Sequence, residues 1–394
     1  MAAELAGGAT AGSGAELAAT FAGRRVLITG HTGFKGSWLA LWLHHWGARV
    51  GGFALPPETT PDLFSAAGVE GLLERHTLGD VRDFAALREA VETFDPQVIF
   101  HMAAQPLVLR GYREPRETVE TNVMGTLNLL EAVRLREKPC AVVIITSDKC
   151  YANREQVWGY RECDPMGGDD PYSVSKGAAE LLVHAWRRSY FPPERLAAGV
   201  GVALASARAG NVIGGGDWSE NRLVPDLVRA MEAGEPLVLR HPLAVRPWQH
   251  VLDPLHGYLM LAARLLGRDA ARFCDGWNFA PDPGDEWVTV GGLAERFQAL
   301  FQLPAWRPDP LARPHEASML RLAIDQSLVR LGWRPRWNVG RTIERTARWY
   351  QAFRPGVGAM RQACLDDLTD FLGEAPSPAP FSQSPHSSNL PDSP

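Results

Sequence analysis

Tyr172 and Lys176 stand four residues apart, directly behind Asp170 and Pro171. An Asp followed by Pro reads as a helix cap and first turn, and i, i+4 spacing puts phenol and ammonium on one helix face. A free tyrosine is only ~0.1% ionised at neutral pH, so lowering its pKa by two or three units takes roughly 3–4 kcal/mol of differential stabilisation. The Lys176 ammonium and a second cation would supply it, and Tyr172 could then take the proton of an alcohol as hydride leaves the same carbon. Upstream, the run Thr146-Ser147-Asp148-Lys149-Cys150-Tyr151 ends an apolar stretch and sets a hydroxyl, an acid and a base side by side.

Hydride needs an acceptor, and the N-terminal region offers a place for one. In Val26-Leu27-Ile28-Thr29-Gly30-His31-Thr32-Gly33-Phe34-Lys35-Gly36, glycines 30, 33 and 36 separate a β-branched run from an amphipathic stretch. Such glycines permit a tight turn and close backbone approach to a pyrophosphate, which the free N–H groups of the following helix would hold. Thr32, Phe34 and Lys35 fill the same loop. A dinucleotide fold normally places an acid at the end of the second strand for the adenosine ribose. Gly51-Gly52-Phe53-Ala54-Leu55 has none before Glu58, and no Lys or Arg that would favour a 2′-phosphate. NAD is the expected cofactor, with weakened binding as the consequence. Asp80 and Val81, after Gly79, are placed to meet the adenine.

These groups must be held by repeated β-α units. Short β-branched runs at residues 25–29, 48–53, 98–101, 141–146 and 202–207 alternate with amphipathic stretches. That alternation predicts an α/β fold with a doubly wound parallel sheet. The clearest helix spans 36–46, where Trp38, Leu39, Trp42, Leu43 and Trp46 recur at helical spacing and read as core packing. The expected organisation is a flexible extension over residues 1–20, a dinucleotide-binding domain over 21–210, and a smaller C-terminal substrate lobe over 211–372 with some segments returning to the first domain. A Pro/Ser-rich tail over 373–394 carries too little apolar surface to offset ordering entropy.

The order Thr-Gly-x-x-Gly-Phe-x-Gly, His101-Met102-Ala103-Ala104-Gln105, Asn122, serine-bearing strand end and Tyr-x-x-x-Lys resembles the extended short-chain dehydrogenase/reductase family over residues 21–350. Four stretches resemble its CDP-glucose 4,6-dehydratase branch: residues 30–38, 146–151, 208–218 and Arg246-Pro247-Trp248-Gln249-His250-Val251. The resemblance implies a Rossmann fold, and NAD contacts from the glycine loop, Ala103, Ala104, Gln105, Asn122, Tyr172 and Lys176. It implies substrate contacts from Gln105, Asn211, Arg222, Arg246, His250 and Glu316, the arginines on the diphosphate. It further implies that Tyr172 and Ser147 act at the C4 hydroxyl of a CDP-hexose, Asp148 protonates the departing C6 hydroxyl, and Lys149 serves the C5 step. Lys149 replaces the glutamate of the dTDP-glucose enzymes. To act as a base it needs its pKa lowered by Lys176 and a dry pocket; as a cation it would stabilise the enolate instead. Two other readings were weighed against this one. A nucleotide-sugar epimerase or decarboxylase is disfavoured by the Ser147-Asp148-Lys149 triplet, and a non-catalytic NAD-responsive regulator by the intact Tyr172/Lys176 pair. The resemblance also implies a homodimer through two helices per subunit.

Composition narrows the partners. With 45% hydrophobic and 22% charged residues and a formal net charge of -5, the chain carries no global field for a phosphate polymer or an anionic membrane. No nucleic-acid partner is expected. Five widely spaced cysteines lack any C-x-x-C pair, and the histidines show no metal-binding spacing, so no metal is expected. No apolar run reaches the roughly 18 residues of a membrane span, and the N-terminus lacks the pattern of a signal peptide. Cytoplasmic location is the expectation.

Overall fold

The computed structural model describes residues 14–198, 201–310 and 319–374. Strands β1 (Arg25–Thr29), β2 (Arg49–Ala54), β3 (Arg75–Leu78), β4 (Val98–His101), β5 (Cys140–Ile145), β6 (Val202–Ala209) and β7 (Gly276–Phe279) form one parallel sheet in the order β7-β6-β5-β4-β1-β2-β3. Every residue of β5 and β6 is buried, as expected of parallel strands covered by helices on both faces. β3 is only partly buried and has no apolar alternation, so the sequence reading passed over it; β7 was also missed.

Helices α1 (Gly14–Phe21), α2 (Phe34–His45), α3 (Phe84–Phe94), α4 (Gly125–Arg136) and α5 (Pro171–Ser189) precede or connect the first six strands. On α2, Trp38 and Trp42 are at most 1% exposed, and the Trp38 indole N–H donates to the Gly215 carbonyl at 3.0 Å. Those tryptophans are core packing, as their spacing predicts. The expectation of a flexible extension through residue 20 needs correction where the chain is described. α1 is an ordered helix that buries Leu17 and Phe21, and the Phe21 ring stacks on Trp46 at 6.1 Å. Residues 1–13 lie outside the described residues.

Beyond β6 the chain builds a second set of elements over the strand ends. It includes α6 (Leu223–Ala233) and two short parallel ladders, Val212–Ile213 with Gln249–His250 and Val238–Leu239 with Arg307–Pro308. α7 (Leu252–Leu265) and β7 return to the main sheet. α8 (Val339–Gln351) and α9 (Arg361–Gly373) are joined by Arg345, whose Nε donates to Asp367 at 2.8 Å, and Phe371 of α9 packs edge-on against Trp42. Of the expected tail, residues 375–394 lie outside the described residues. Among the described residues no helix is long and apolar enough to cross a membrane.

The sheet order matters for function because β1 has β2 on one side and β4 on the other. Connections diverge there and leave a crevice beyond the carboxyl ends of the strands. The packing of α1 gives a direct test: Phe21→Ala should lower stability by about 3–5 kcal/mol in chemical denaturation. A loss below about 1 kcal/mol would show that the helix is not docked.

Candidate active site

The turn after β1 is closer to its neighbours than any side chain permits. Gly30 has φ of +77°, and a Cβ on it would lie 2.7 Å from the Ala103 nitrogen. A Cβ on Gly36 would lie 2.1 Å from the Gly30 carbonyl oxygen. Gly33 caps α2 without a side-chain partner, so the first-turn N–H groups are left to the cleft, as an anion site requires. The cleft has a volume of about 1030 Å³, and Gly30, Thr32, Gly33, Phe34, Lys35 and Gly36 line it together with Asp80, Val81, Ala103, Ala104 and Gln105.

Individual side chains there are already engaged. The Thr32 hydroxyl donates to the Leu55 carbonyl at 2.8 Å. The Asp80 carboxylate accepts from the Arg82 backbone N–H at 2.9 Å and from its guanidinium. Lys35 Nζ donates to the Tyr258 hydroxyl at 3.0 Å. Burial, then the nearby charges of Arg222 and Lys176, pull the Lys35 ammonium down to about 7.

The second wall is the tip of β5. The Ser147 hydroxyl accepts from the Lys149 backbone N–H at 3.2 Å and donates to Asp148 Oδ1 at 2.8 Å. Asp148 is 3% exposed, and its Oδ2 is buried with no hydrogen-bond partner in the protein. Burial raises its pKa above the usual carboxylate range, partly opposed by Lys149. Lys149 is half-buried on the same wall.

Facing this turn is the start of α5. Asp170 caps the helix by accepting the Ser173 N–H at 3.0 Å, with Pro171 in the first turn, as the sequence predicts. Tyr172 and Lys176 are buried, and both line the cleft. Burial pushes the Tyr172 phenol up to about 12, although the Ser147 hydroxyl and the Arg222 charge pull the other way. Burial outweighs the neighbouring groups of the protein that lower the phenol, so the second cation of the expected pair is left to a bound cofactor. Lys176 is itself pulled down to about 8 by burial, opposed by the Glu180 carboxylate.

One expected contact residue, Asn122, stands behind the wall, and Gln105 lines the cleft with its amide engaged elsewhere. Asn122 accepts the Gln105 N–H at 2.8 Å and donates to the Gln105 carbonyl and the Ser175 hydroxyl. It thus holds the Gln105 loop against α5 and does not line the cleft. The Gln105 amide is turned back on its own loop, donating to Thr118 and Leu107.

Asn211, Arg222 and Arg246 line the same cleft, and Arg222 pairs with buried Asp217 at 3.1 Å. His250 is not brought there. It is fully buried between Trp38 and Trp337 and accepts the Leu252 N–H, so its expected role as a substrate contact is withdrawn. Glu316 lies outside the described residues. Arg240 and Trp248 also line the cleft and were not singled out from sequence. Trp248 lay inside a motif already noted; Arg240 had no signal of its own. Among the described residues no group of three or more His, Cys, Asp or Glu side chains could hold a metal ion.

A glycine cradle that any Cβ would fill, an uncapped helix start and local cations suit a dinucleotide pyrophosphate. A buried carboxyl with an unused oxygen, opposite a phenol and an ammonium, suits proton transfer to and from one bound molecule. The family model described as GDP-mannose 4,6 dehydratase matches residues 27–269. A CDP-glucose 4,6-dehydratase of Salmonella typhimurium is 50% identical over 351 residues, covering 89% of this chain and 96% of the relative. A dTDP-glucose 4,6-dehydratase of Streptomyces antibioticus is 30% identical over 349 residues, covering 83% and 92%. Among solved structures, an epimerase of Methanothermobacter thermautotrophicus superposes with a TM-score of 0.70 at 23% identity, covering 85% and 94% of the two chains. The dTDP-glucose 4,6-dehydratase DesIV of Streptomyces venezuelae, solved with NAD bound, superposes at 0.69 with 24% identity, covering 84% and 98%. The two structures share the fold, and the sequence matches place the chain in the GDP-mannose 4,6 dehydratase family of extended short-chain dehydrogenases/reductases.

Proposed function

We propose that the protein dehydrates CDP-glucose to CDP-4-keto-6-deoxyglucose with NAD as its resident cofactor. The observation that carries this reading is the meeting of two sets of groups on one cleft. Tyr172 and Lys176 suit alcohol oxidation, and Ser147, Asp148 and Lys149 suit elimination. The 50% identical relative is a CDP-glucose enzyme, which supports cytidine over the other bases.

Bound on the cradle of Gly30, Gly33 and Gly36, NAD would supply a hydride acceptor for C4 and a hydride donor for C6. Tyr172 accepts the C4 hydroxyl proton with the Ser147 hydroxyl beside it, and the Lys176 ammonium stabilises the phenolate. The resulting ketone acidifies the C5 hydrogen. Lys149, half-buried beside Asp148, is the group at hand for that proton and for the enolate its loss leaves, and for returning a proton to C5 as C6 is reduced. Asp148, whose pKa burial raises, gives a proton from the unpartnered Oδ2 side to the departing C6 hydroxyl. Arg222, Arg246 and Asn211 hold the diphosphate, for which arginine's fork is the better geometric match.

A homodimer fits the outer surface of α5, where Val174 and Leu181 are 47% and 61% exposed, and the helical segment ahead of α4 exposes Val119 and Met124. The cytoplasm fits five cysteines that are all free thiols.

Incubation with CDP-, dTDP-, UDP- and GDP-glucose should give a 4-keto product, read by the near-ultraviolet absorbance it develops in base, from the CDP sugar first. Tyr172→Phe should lower kcat about 100- to 10,000-fold. Product from a non-cytidine donor alone would overturn the substrate assignment.

The pH dependence follows from Lys176, which must be protonated and loses its proton as pH rises through about 8. kcat/KM, which reports the free enzyme, should therefore fall on the alkaline side by about pH 8. A rate that keeps climbing to pH 10, about the free tyrosine range, would contradict this. Sedimentation should find a dimer, and Leu181→Arg should shift it to monomer; an unshifted dimer would move the interface elsewhere.

A further inference from the structure

Behind the cleft, one buried ion pair touches every segment that carries the chemistry. Glu180 lies on α5, one turn after Lys176 and two after Tyr172, and Arg208 lies near the end of β6. Both are 4% exposed, and Arg208 Nη2 donates to Glu180 Oε2 at 2.8 Å. Thr146, the residue just before Ser147, donates its hydroxyl to Glu180 Oε1 at 2.5 Å. Tyr151 lies just past the 148–150 turn, and Arg208 Nη1 donates to its hydroxyl at 2.6 Å. The Ser147-Asp148-Lys149 turn is thus fastened at both ends to a single ion pair whose carboxylate rides on the helix of Tyr172 and Lys176.

We propose that Glu180–Arg208 is a positioning pair that fixes the Tyr172/Lys176 helix in register with the Ser147-Asp148-Lys149 turn. The inference rests on the dehydratase reading, because two chemistries on one hexose need both sets of groups at fixed separation. Stability alone does not account for the pair, since a buried ion pair is often no better than apolar residues of the same volume. There is also no slack in the arrangement. A Cβ at Gly276 would meet Arg208 Nη2 at 2.3 Å, and Ser206 donates a further hydroxyl to Glu180 Oε2 at 2.7 Å.

The carboxylate has a second consequence. Lys176 is flanked on its own helix by Tyr172 and Glu180, and from other elements by the Cys150 thiol, the His101 imidazole and the Lys35 ammonium. Burial raises the Cys150 thiol and lowers His101 to about 3, so neither carries charge at neutral pH. Lys35 opposes the Lys176 charge. Glu180 is left as the anion that favours the ammonium.

Two variants of the full-length protein with NAD separate position from charge. Glu180→Gln keeps the shape and removes the anion; Thr146→Val keeps the anion and cuts the link to the turn. Glu180→Gln should lower kcat about 10- to 100-fold, with KM for CDP-glucose nearly unchanged. It should also move the alkaline limb to lower pH, because Lys176 without its anion releases its proton sooner. Thr146→Val should lower kcat without moving the limb. Amide hydrogen exchange over residues 147–151 should quicken in both.

A folded Glu180→Gln with wild-type kcat and limb overturns the inference. If that variant does not fold, Thr146→Val decides: lowered kcat with quicker exchange supports the register, and wild-type values for both overturn it. A wild-type protein that converts no nucleotide hexose, with the exchange effect intact, sinks the dehydratase reading and leaves the positioning pair standing.

Discussion

Desolvation of a phenol and an ammonium against the tip of β5 is the constraint on which the cleft depends. Tyr172 and Lys176 are 6% and 5% exposed, and at that depth an ionised group is stabilised by what touches it and not by water. Each side chain in the wall therefore carries weight it would lack on a surface. The Ser147 hydroxyl lowers the phenol, the Arg222 charge lowers it further, and burial alone overrides both. Burial thus favours the neutral phenol in the protein alone, and a nicotinamide ring bound on the glycine cradle would bring a cation beside it.

Local charge, not the total, recognises the ligands. The chain is formally negative at -5, yet the cleft gathers Lys35, Lys149, Lys176, Arg222 and Arg246 about Asp148. Those cations, set among the acids that also line the cleft, fit the pyrophosphate of a dinucleotide and the diphosphate of a nucleotide sugar. Where the second strand ends without an acid for a ribose, the lip of the cleft is instead tied by Thr32 to the Leu55 carbonyl.

How much of this the sequence disclosed follows a physical division. β1, its glycine turn and α2 were legible because their constraints are local: only glycine fits at positions 30 and 36, and the tryptophans repeat at helical spacing. The start of α5 was legible because Asp170 and Pro171 mark a helix cap in any context. β3 was not, because Arg75-His76-Thr77-Leu78 gains its place from pairing with β2 at an edge and has no apolar pattern of its own. α1 was read as a flexible extension since a short Ala-rich helix is marginal until Phe21 finds Trp46. His250 was misplaced for a related reason: a motif fixes its order in the chain, while packing between Trp38 and Trp337 fixes which way the ring faces. The Glu180–Arg208 pair joins residues 28 apart and had no sequence signature beyond a charged residue on the buried face of a helix.

The central claim is that oxidation at C4 and elimination across C5 and C6 occur on one hexose held between one helix and one strand tip. CDP-glucose deuterated at C4 tests it most directly. The account predicts product carrying the deuterium at C6, delivered within the same molecule when labelled and unlabelled substrates are mixed. Deuterium retained at C4, lost to solvent, or scrambled between molecules would contradict it.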